Sequence, residues 1–294
     1  MYINKKFSQS KIAKLFGVQR ETIKRWLKRL NIPIRKRVDV VSDTLLKYKR
    51  KPFSGNLKEK AYLMGLRCGD ISAQKHGKFI RVSVSTTHPA MLHLFKKLFK
   101  KYGKVNLYPK YDRKRNRFLW CIYCDLDHSF NFLVDKCKKI PKWIKENSEL
   151  FFSFLSGYFD SEGCISISSS ENSGVIHLII QTCDKEILED IVEELNNLGF
   201  EFRKPRLIKK ADHKTYNKDF WYIGTSKKTQ VFKLLNQMKI KHEEKILKYK
   251  LAQELVKTNW KNAKEKILKL RNKINNDIKK CMEKAKAKYK KKLK

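Results

Sequence analysis

The sequence predicts an α+β protein with a pseudo-twofold internal duplication, in which the element order αββαββα occurs twice. A short segment, Leu63–Asp70, recurs as Leu155–Gly163, with small and apolar residues at matching places. Alternating apolar and polar residues follow each copy, as expected for strands with one buried face. We expect a helix-turn-helix domain at residues 1–40, a basic linker at 41–56, repeats at 57–146 and 147–240, and a basic helical tail at 241–294.

The N-terminal segment has the pattern of two short helices joined by a turn. Apolar residues cluster on either side of Gly17, and Ala13, Gly17 and Ile23 follow the spacing of a helix-turn-helix. The second helix would read a DNA groove with side chains that bond bases or phosphates: Gln19, Arg20, Thr22, Lys24 and Arg25. The alternative is a helical hairpin with a solvated basic face.

The repeated segment predicts two helices that pack closely and end in acids. Small residues recur every fourth position, and Asp70 and Glu162 each follow the central glycine by five residues. A carboxylate at a helix C-terminus is unfavourable because the helix dipole is negative there. Two neighbouring carboxylates therefore favour a bound cation, and their hard oxygen ligands suit Mg²⁺. The alternative is a buried helical hairpin with incidental acids.

Both copies resemble the LAGLIDADG motif of homing endonucleases, and the resemblance covers roughly residues 57 to 240. The first copy departs from the family pattern, with Cys68 where an acid is usual and Ile71 where glycine is usual. The resemblance implies that Asp70 and Glu162 are catalytic and hold Mg²⁺, with Mn²⁺ able to substitute. It also implies a catalytic lysine after the last helix of each half, at Lys138 and Lys239, with Lys139 and Lys241 as rivals.

The predicted strands lie near residues 80–86, 104–111 and 116–124 in the first half and 163–170, 174–182, 201–208 and 218–224 in the second. The predicted helices after them are 88–101, 126–137, 185–198 and 227–238. Each sheet would cover its helices with one face and offer the other to DNA. The residues expected on that face and its loops are Ser72, Gln74, Arg81, Ser83, Ser85, Arg113, Arg115, Arg117, Ser166, Ser168, His177, Gln181, Arg206, Lys209, Lys210 and Lys214.

The composition predicts a polyanionic partner. The formal net charge is +40, from 69 Lys and Arg against 29 Asp and Glu, and so basic a chain attracts nucleic acid strongly. The resemblance to homing endonucleases implies that this partner is double-stranded DNA with a long pseudo-palindromic site, bound by a monomer. No apolar run spans a bilayer, and seven scattered cysteines favour an intracellular setting, in the cytoplasm, at a nucleoid or in an organelle.

By resemblance, the expected function is that of a site-specific DNA homing endonuclease, free-standing or intron-encoded, which makes a double-strand break by divalent-metal-dependent hydrolysis. Two alternatives remain open. A DNA-binding transcription regulator with an inactive LAGLIDADG fold is favoured by the helix-turn-helix pattern. An RNA maturase that assists intron splicing is favoured by the basic tail.

Overall fold

A computed structural model describes residues 1–5, 7–35, 48–77, 79–170, 173–211 and 218–293. The chain folds as two compact units, residues 1–49 with 76–79 and residues 50–75 with 80–294. Residues 41–47 of the predicted linker, and Lys214, lie outside the described residues. None of the described helices combines the length and apolar composition that a membrane span requires.

The N-terminal unit contains the two short helices expected at residues 8–30. Helix α1 (Gln9–Phe16) begins at Ser8, whose Oγ accepts a hydrogen bond from the backbone N–H of Lys11 at 3.1 Å. It ends at Gly17, whose φ of +63° is costly for residues with a Cβ. Helix α2 (Arg20–Arg29) follows at once. The small core between them contains Tyr2, Ile12, Ala13, Ile23 and Leu27.

The remaining helices frame the two repeats. We call α3 (Leu57–Cys68) the first motif helix and α6 (Ser148–Glu162) the second; each begins at an asparagine whose side chain accepts a backbone N–H bond. The others are α4 (Pro89–Phe99), α5 (Lys142–Lys145), α7 (Lys185–Asn197), α8 (Lys228–Gln237), α9 (Glu243–Lys257) and α10 (Ala263–Leu293).

Each repeat contains a four-stranded sheet, and the two sheets share one topology. The first has the order β1-β2-β4-β3 and the second β5-β6-β8-β7. This agreement confirms the predicted duplication. The strands are β1 (Ser72–His76), β2 (Phe79–Thr86), β3 (Val105–Asp112), β4 (Arg117–Leu126), β5 (Gly163–Ser169), β6 (Gly174–Thr182), β7 (Arg206–Lys209) and β8 (Phe220–Thr225).

One face of each sheet packs on helices, and the other carries the polar residues of the alternating pattern. In β2, Ile80, Val82 and Val84 are buried with residues of the first motif helix and α4. Successive side chains of a strand point to opposite faces, so Arg81, Ser83 and Ser85 lie on the second face. In β6, Ile176, Leu178 and Ile180 are buried in the same way, and His177 and Gln181 lie opposite.

The helix expected at residues 126–137 is a short 3-10 helix, His128–Leu133. That expectation was wrong because the Arg67 side chain takes over the carbonyl groups that a longer α-helix would use. Its Nε donates to the carbonyl of Leu133 at 2.8 Å, and its Nη2 to that of Val134 at 3.2 Å. The chain can therefore leave the helical path after about two 3-10 turns without leaving these two carbonyl groups unbonded.

The basic tail forms a pair of helices, one of the two arrangements expected. Helices α9 and α10 are separated by residues 258–262, in which Asn259, Trp260 and Asn262 have positive φ angles. Such conformations end a helix, so the chain changes direction here despite the absence of Gly and Pro after residue 240.

Candidate active site

The two motif helices cross at their glycines, with no space for side chains between the backbones. A Cβ built on Gly65 would lie 2.0 Å from the carbonyl oxygen of Phe154, and one built on Gly157 would lie 2.0 Å from that of Tyr62. Carbon and oxygen that are not bonded do not approach so closely. Further along the same seam, Ser161 Oγ donates to the carbonyl of Leu66 at 3.2 Å. The small residues of the repeat therefore form the contact that the sequence predicts.

This crossing brings the two repeat acids together. Glu162 is the last residue of the second motif helix, and Asp70 lies two residues beyond the end of the first. A Cβ on Gly69, next to Asp70, would lie 3.1 Å from Glu162 Oε1. Burial, and then the charge of Asp70, raise the pKa of Glu162 to about 7. The Asp70 carboxylate is therefore close enough for its charge to act on that of Glu162.

The two carboxyl groups differ in how far solvent reaches them. Asp70 is exposed, whereas Glu162 is half-buried. Partial burial raises the pKa of Asp70, and the positive charges of Lys245 and His88 oppose that rise. His88 Nδ1 also lies 3.0 Å from Glu244 Oε1. The exposed side of the acid pair is thus the side from which a substrate can approach.

The second motif contains one more acid besides Glu162, and this residue, Asp160, has a structural role. Its side chain is 1% exposed and accepts hydrogen bonds from Tyr62 Oη at 2.6 Å and from the backbone N–H groups of Lys241 and His242 at 2.8 and 3.2 Å. These bonds attach the segment before α9 to the second motif helix. A buried carboxylate needs such donors to offset its desolvation.

Cys68 occupies the position in the first motif that Asp160 occupies in the second. Its thiol donates to the carbonyl of Cys137 at 3.9 Å, a weak contact to the segment after the 3-10 helix. In both repeats, the residue at this position therefore hydrogen-bonds a segment that comes later in the repeat. Asp160 accepts these bonds, whereas Cys68 donates one. The departure from the family motif changes this attachment and leaves Asp70 at the seam.

Lys245 is the principal functional candidate that the sequence did not indicate. It lies in α9 and is only 9% exposed, and its Nζ donates to the carbonyl groups of Phe159 and Asp160 at 2.5 and 2.6 Å. It therefore satisfies the C-terminal carbonyls of the second motif helix beside the acids. Burial lowers its pKa to about 8, while the charges of Asp160, Asp70 and Glu162 oppose that fall. In a tail this rich in lysine, no sequence signal separates it from its neighbours.

The four lysines named from the sequence lie elsewhere around the motif helices. Lys138 and Lys139 are exposed. The backbone N–H of Lys239 donates to Ser156 Oγ at 3.0 Å. Ser156 lies six residues, or about 9 Å of helix, before Glu162. Lys241 Nζ lies 3.7 Å from the ring centroid of Tyr62. Among other lysines, Lys136 Nζ donates to Asp184 Oδ2 at 2.8 Å. Burial raises the pKa of Glu162, and the positive charge of Lys136 opposes that rise.

The residues expected to contact DNA lie on two open sheet faces and their loops. Strand pairing places Ser83 opposite Tyr123 and Ser166 opposite His177, and aligns Gln181 and Arg206 with Tyr222. Arg81 forms two bonds with Asp125 at 2.7 and 2.9 Å, which fixes its guanidinium on the face. The exposed members are Ser72, Gln74, Ser85, Arg113, Arg115, Ser168, Gln181, Arg206, Lys209 and Lys210.

Three other residues expected to contact DNA are partly engaged within the protein. Arg117 Nε lies 3.7 Å from Asp112 Oδ2 across the β3–β4 turn. In the N-terminal unit, Lys24 pairs with Glu21 at 3.3 Å, and Arg20 Nε donates to Gln9 Oε1 at 3.3 Å. Gln19, Arg20 and Arg25 are exposed, whereas Thr22 and Lys24 are half-buried. Whether α2 reads DNA stays a prediction.

Comparison with known proteins gives one family and several distant structures. A family model described as a LAGLIDADG-like domain matches residues 149–250. An uncharacterized protein of Methanocaldococcus jannaschii is 25% identical over 194 residues, which cover 61% of this chain and 68% of that protein. The homing endonuclease I-WcaI, solved bound to its DNA recognition sequence, is 16% identical with a TM-score of 0.45 and covers 74% of this chain and 96% of its own.

The N-terminal LAGLIDADG domain of DUF199/WhiA is also similar, at 18% identity and a TM-score of 0.41, over 72% of this chain and 96% of that one. The residues matched by the family model begin in the second motif helix and end in α9. They include the crossing glycine, the acid at the helix end and the buried lysine described above. The chain therefore carries a LAGLIDADG-like domain at residues 149–250.

Proposed function

We propose that this chain is a site-specific DNA endonuclease that makes a double-strand break by divalent-metal-dependent hydrolysis of phosphodiester bonds. The observation that carries the proposal is the juxtaposition of Asp70 and Glu162 at the end of the closely packed motif helices. Each repeat supplies one acid, so one chain contains a carboxylate for each DNA strand. A monomer is therefore sufficient for the reaction.

The acid pair fits a hard divalent cation, because its donors are carboxylate oxygens whose mutual repulsion a cation would relieve. Asp70 and Glu162 would hold Mg²⁺, with Mn²⁺ as a substitute. When bound, the cation supplies positive charge that stabilises the charge developing on phosphate oxygens. Within the described residues, no group of three or more His, Cys, Asp or Glu side chains could hold a metal. Water and phosphate would therefore complete the coordination.

DNA is the substrate that the charge and the two faces favour. The formal net charge of +40 suits a protein that neutralises many phosphates. The open faces belong to sheets of identical strand order, so they match a long, pseudo-palindromic duplex site. Such a substrate also implies that the enzyme works inside the cell.

Among the lysines, we assign the role beside the acids to Lys245, which orients the end of the second motif helix and offsets the carboxylate charges. Lys136 is its counterpart near Glu162. Lys138 and Lys239 remain candidates for contact with the scissile phosphates, as the resemblance implies, since both side chains are exposed.

Replacing Lys245 with methionine should shift the pH profile of cleavage to higher pH. Without this positive charge, the pKa values of Asp70 and Glu162 rise further, so a larger fraction of the acids is protonated at pH 7. For Glu162, a rise of one unit from a pKa of about 7 lowers the ionised fraction at pH 7 from about one half to about one tenth. Cleavage rates measured from pH 6 to 9 should therefore show a loss of about fivefold or more at pH 7 and partial recovery at pH 9. Lys250→Met, an exposed position in the same helix, serves as control, and a loss that is uniform across pH would refute the assigned role.

A DNA-binding regulator is the second candidate, because the N-terminal unit has two short helices joined at Gly17 with polar side chains exposed on the second. A regulator would bind its site without cutting. Its DNA affinity would not depend on a divalent metal, so the cleavage experiment separates the two functions.

The proposal is tested by incubating the purified chain with Mg²⁺ and a randomised duplex library and sequencing the ends produced. Site-specific ends that vanish with EDTA are expected. The control is the double variant Asp70→Asn, Glu162→Gln, which should yield none. Specific binding of library members without new ends would refute the nuclease and support the regulator.

Deleting residues 1–40 should weaken binding and shorten the protected DNA at one end, because the segment contains α1 and α2. Loss of several phosphate contacts also makes affinity less dependent on salt. Footprinting and binding at several salt concentrations measure both effects, and cleavage at high enzyme concentration should persist. Unchanged affinity and footprint at moderate salt would show that the segment is not a DNA reader.

A further inference from the structure

The long C-terminal helix α10 joins the two repeats and leaves one side basic. Its first half lies against β5 of the second sheet, where Ile267, Leu270 and Ile274 line a cavity. Its second half packs on the first sheet, where Trp120 Nε1 donates to the carbonyl of Cys281 at 3.1 Å and Ala285 is fully buried. These inward residues recur at helical spacing and therefore lie on one face of α10, which is directed toward the two sheets.

The exposed sides of α10 are strongly positive. Between residues 263 and 291, eleven Lys and Arg side chains are exposed against three acids. Lys273, Lys280, Lys284 and Lys291 are separated by seven, four and seven residues, which aligns them on one stripe away from the buried face. The stripe is about 27 Å long at 1.5 Å per residue. We call these four residues the tail stripe.

The second half of α10, which carries Lys280, Lys284 and Lys291, packs on the side of the first sheet away from the open face. The side chain of Trp120 points to the same face of the sheet as those of Ile122 and Cys124, which are buried against the helices. Arg81 and Ser83 point to the opposite face. A duplex on the open face of the first sheet is therefore separated from this half of α10 by the sheet itself.

From this placement we infer that the tail stripe is a second binding surface, which holds a separate segment of double-stranded DNA through its phosphates. The inference rests on the proposed function only in taking DNA as the polyanion. Lysines contact phosphate as point charges without reading bases. No aromatic side chain is exposed between residues 263 and 291, so the helix lacks the stacking platform that single-stranded nucleic acids need. A backbone-binding, sequence-independent duplex site fits both features.

The number of duplexes bound per protein tests this inference. The full chain is mixed with excess 20-base-pair duplex of random sequence, and the mass of the complex is measured by sedimentation. The tail variant, in which Lys273, Lys280, Lys284 and Lys291 are all changed to Gln, should bind one duplex fewer than the unmodified chain. Glutamine keeps helix propensity, so circular dichroism and melting temperature should not change.

The matched control neutralises three exposed basic residues of the second repeat that are expected to contact DNA, with Arg206→Gln, Lys209→Gln and Lys210→Gln. This variant should keep the duplex held by the tail stripe, and combining both sets should remove one duplex more than the control alone. The salt dependence of binding at the tail stripe should have a slope of about −3 to −4 in log K against log salt, from four phosphate contacts.

Equal stoichiometry for the unmodified chain and the tail variant would overturn the inference, and so would binding of double-stranded RNA in place of DNA at this surface. Cleavage is scored in parallel with Mg²⁺ on the library. Normal cleavage by a tail variant that has lost one duplex supports a separate surface. If the unmodified chain fails to cleave but the stoichiometry differs as stated, the proposed function fails and the tail stripe stands.

Discussion

Replacing Gly65 with leucine is expected to lower both the stability of the protein and its cleavage rate. A Cβ at this position lies 2.0 Å from the carbonyl oxygen of Phe154 and 2.9 Å from the backbone nitrogen of Tyr158. Both neighbours are helix backbone, so the motif helices must move apart. Overpacking of this kind costs about 3 kcal/mol or more, which corresponds to a fall in melting temperature of about 6–12 °C.

The same separation displaces the acids, because Asp70 and Glu162 are positioned by the helix ends. A misplacement of about 1 Å costs on the order of a hundredfold in a reaction that depends on positioning. Leu66→Met is the control, since it conserves volume at the neighbouring buried position and should change melting temperature and rate little. Thermal unfolding and a Mg²⁺ cleavage time course give both values. If Gly65→Leu left them intact, the helices would not meet at their glycines.

Neutralising either repeat acid should abolish double-strand cleavage while leaving DNA affinity unchanged or improved. Asp70→Asn and Glu162→Gln retain the size of each side chain but remove a charge needed to hold a cation. They also remove a negative charge that repels phosphate, so binding does not suffer. We expect rates at least a thousandfold lower, in the range of about 4 kcal/mol of lost transition-state stabilisation.

Glu149→Gln provides the matched control for these acid variants. Glu149 lies in the first turn of the second motif helix and pairs with Lys58 at 2.6 Å. It therefore belongs to the same helix as Glu162 but lies at the opposite end. Its neutralisation should leave cleavage intact. Gel assays on supercoiled and linear substrate distinguish single-strand nicks from double-strand breaks. Full double-strand cutting by Asp70→Asn or Glu162→Gln would remove the basis of the proposed active site.

The sequence was sufficient for those parts of the fold that depend on local pattern. The glycine spacing predicts the helix crossing, and strand alternation predicts which side chains of β2 and β6 are buried. The 3-10 helix at His128–Leu133 could not be predicted, because its length depends on Arg67, which is distant in sequence. A pattern of apolar residues does not reveal which carbonyl groups a remote guanidinium will satisfy.

The surroundings of the acids were less predictable than the acids themselves. Asp70 and Glu162 are marked by the repeat, whereas Lys245 is one of many lysines in a basic tail. Its importance arises because the backbone N–H groups of Lys241 and His242 bond Asp160 and so dock the start of α9 on the second motif helix. Tertiary docking, and not residue type, separates this lysine from Lys138 and Lys239.

The central claim is that Asp70 and Glu162 form one divalent-metal site, and metal-dependent thermal stabilisation of the free protein tests it most directly. Burial and Asp70 raise the pKa of Glu162 to about 7. The ionised form is thus disfavoured in the folded state, and stability from this group is lost as pH rises from its unfolded pKa through 7. Mg²⁺ binds the ionised form, so it should stabilise the protein more at pH 8 than at pH 6.

At pH 8 and about 100 times the dissociation constant, Mg²⁺ should contribute about 2.7 kcal/mol. Asp70→Asn and Glu162→Gln should each lose most of this gain, and the double variant should lose little more than either, because one site needs both ligands. Retention of the full Mg²⁺ effect by either single variant, or losses that simply add in the double variant, would contradict a shared site.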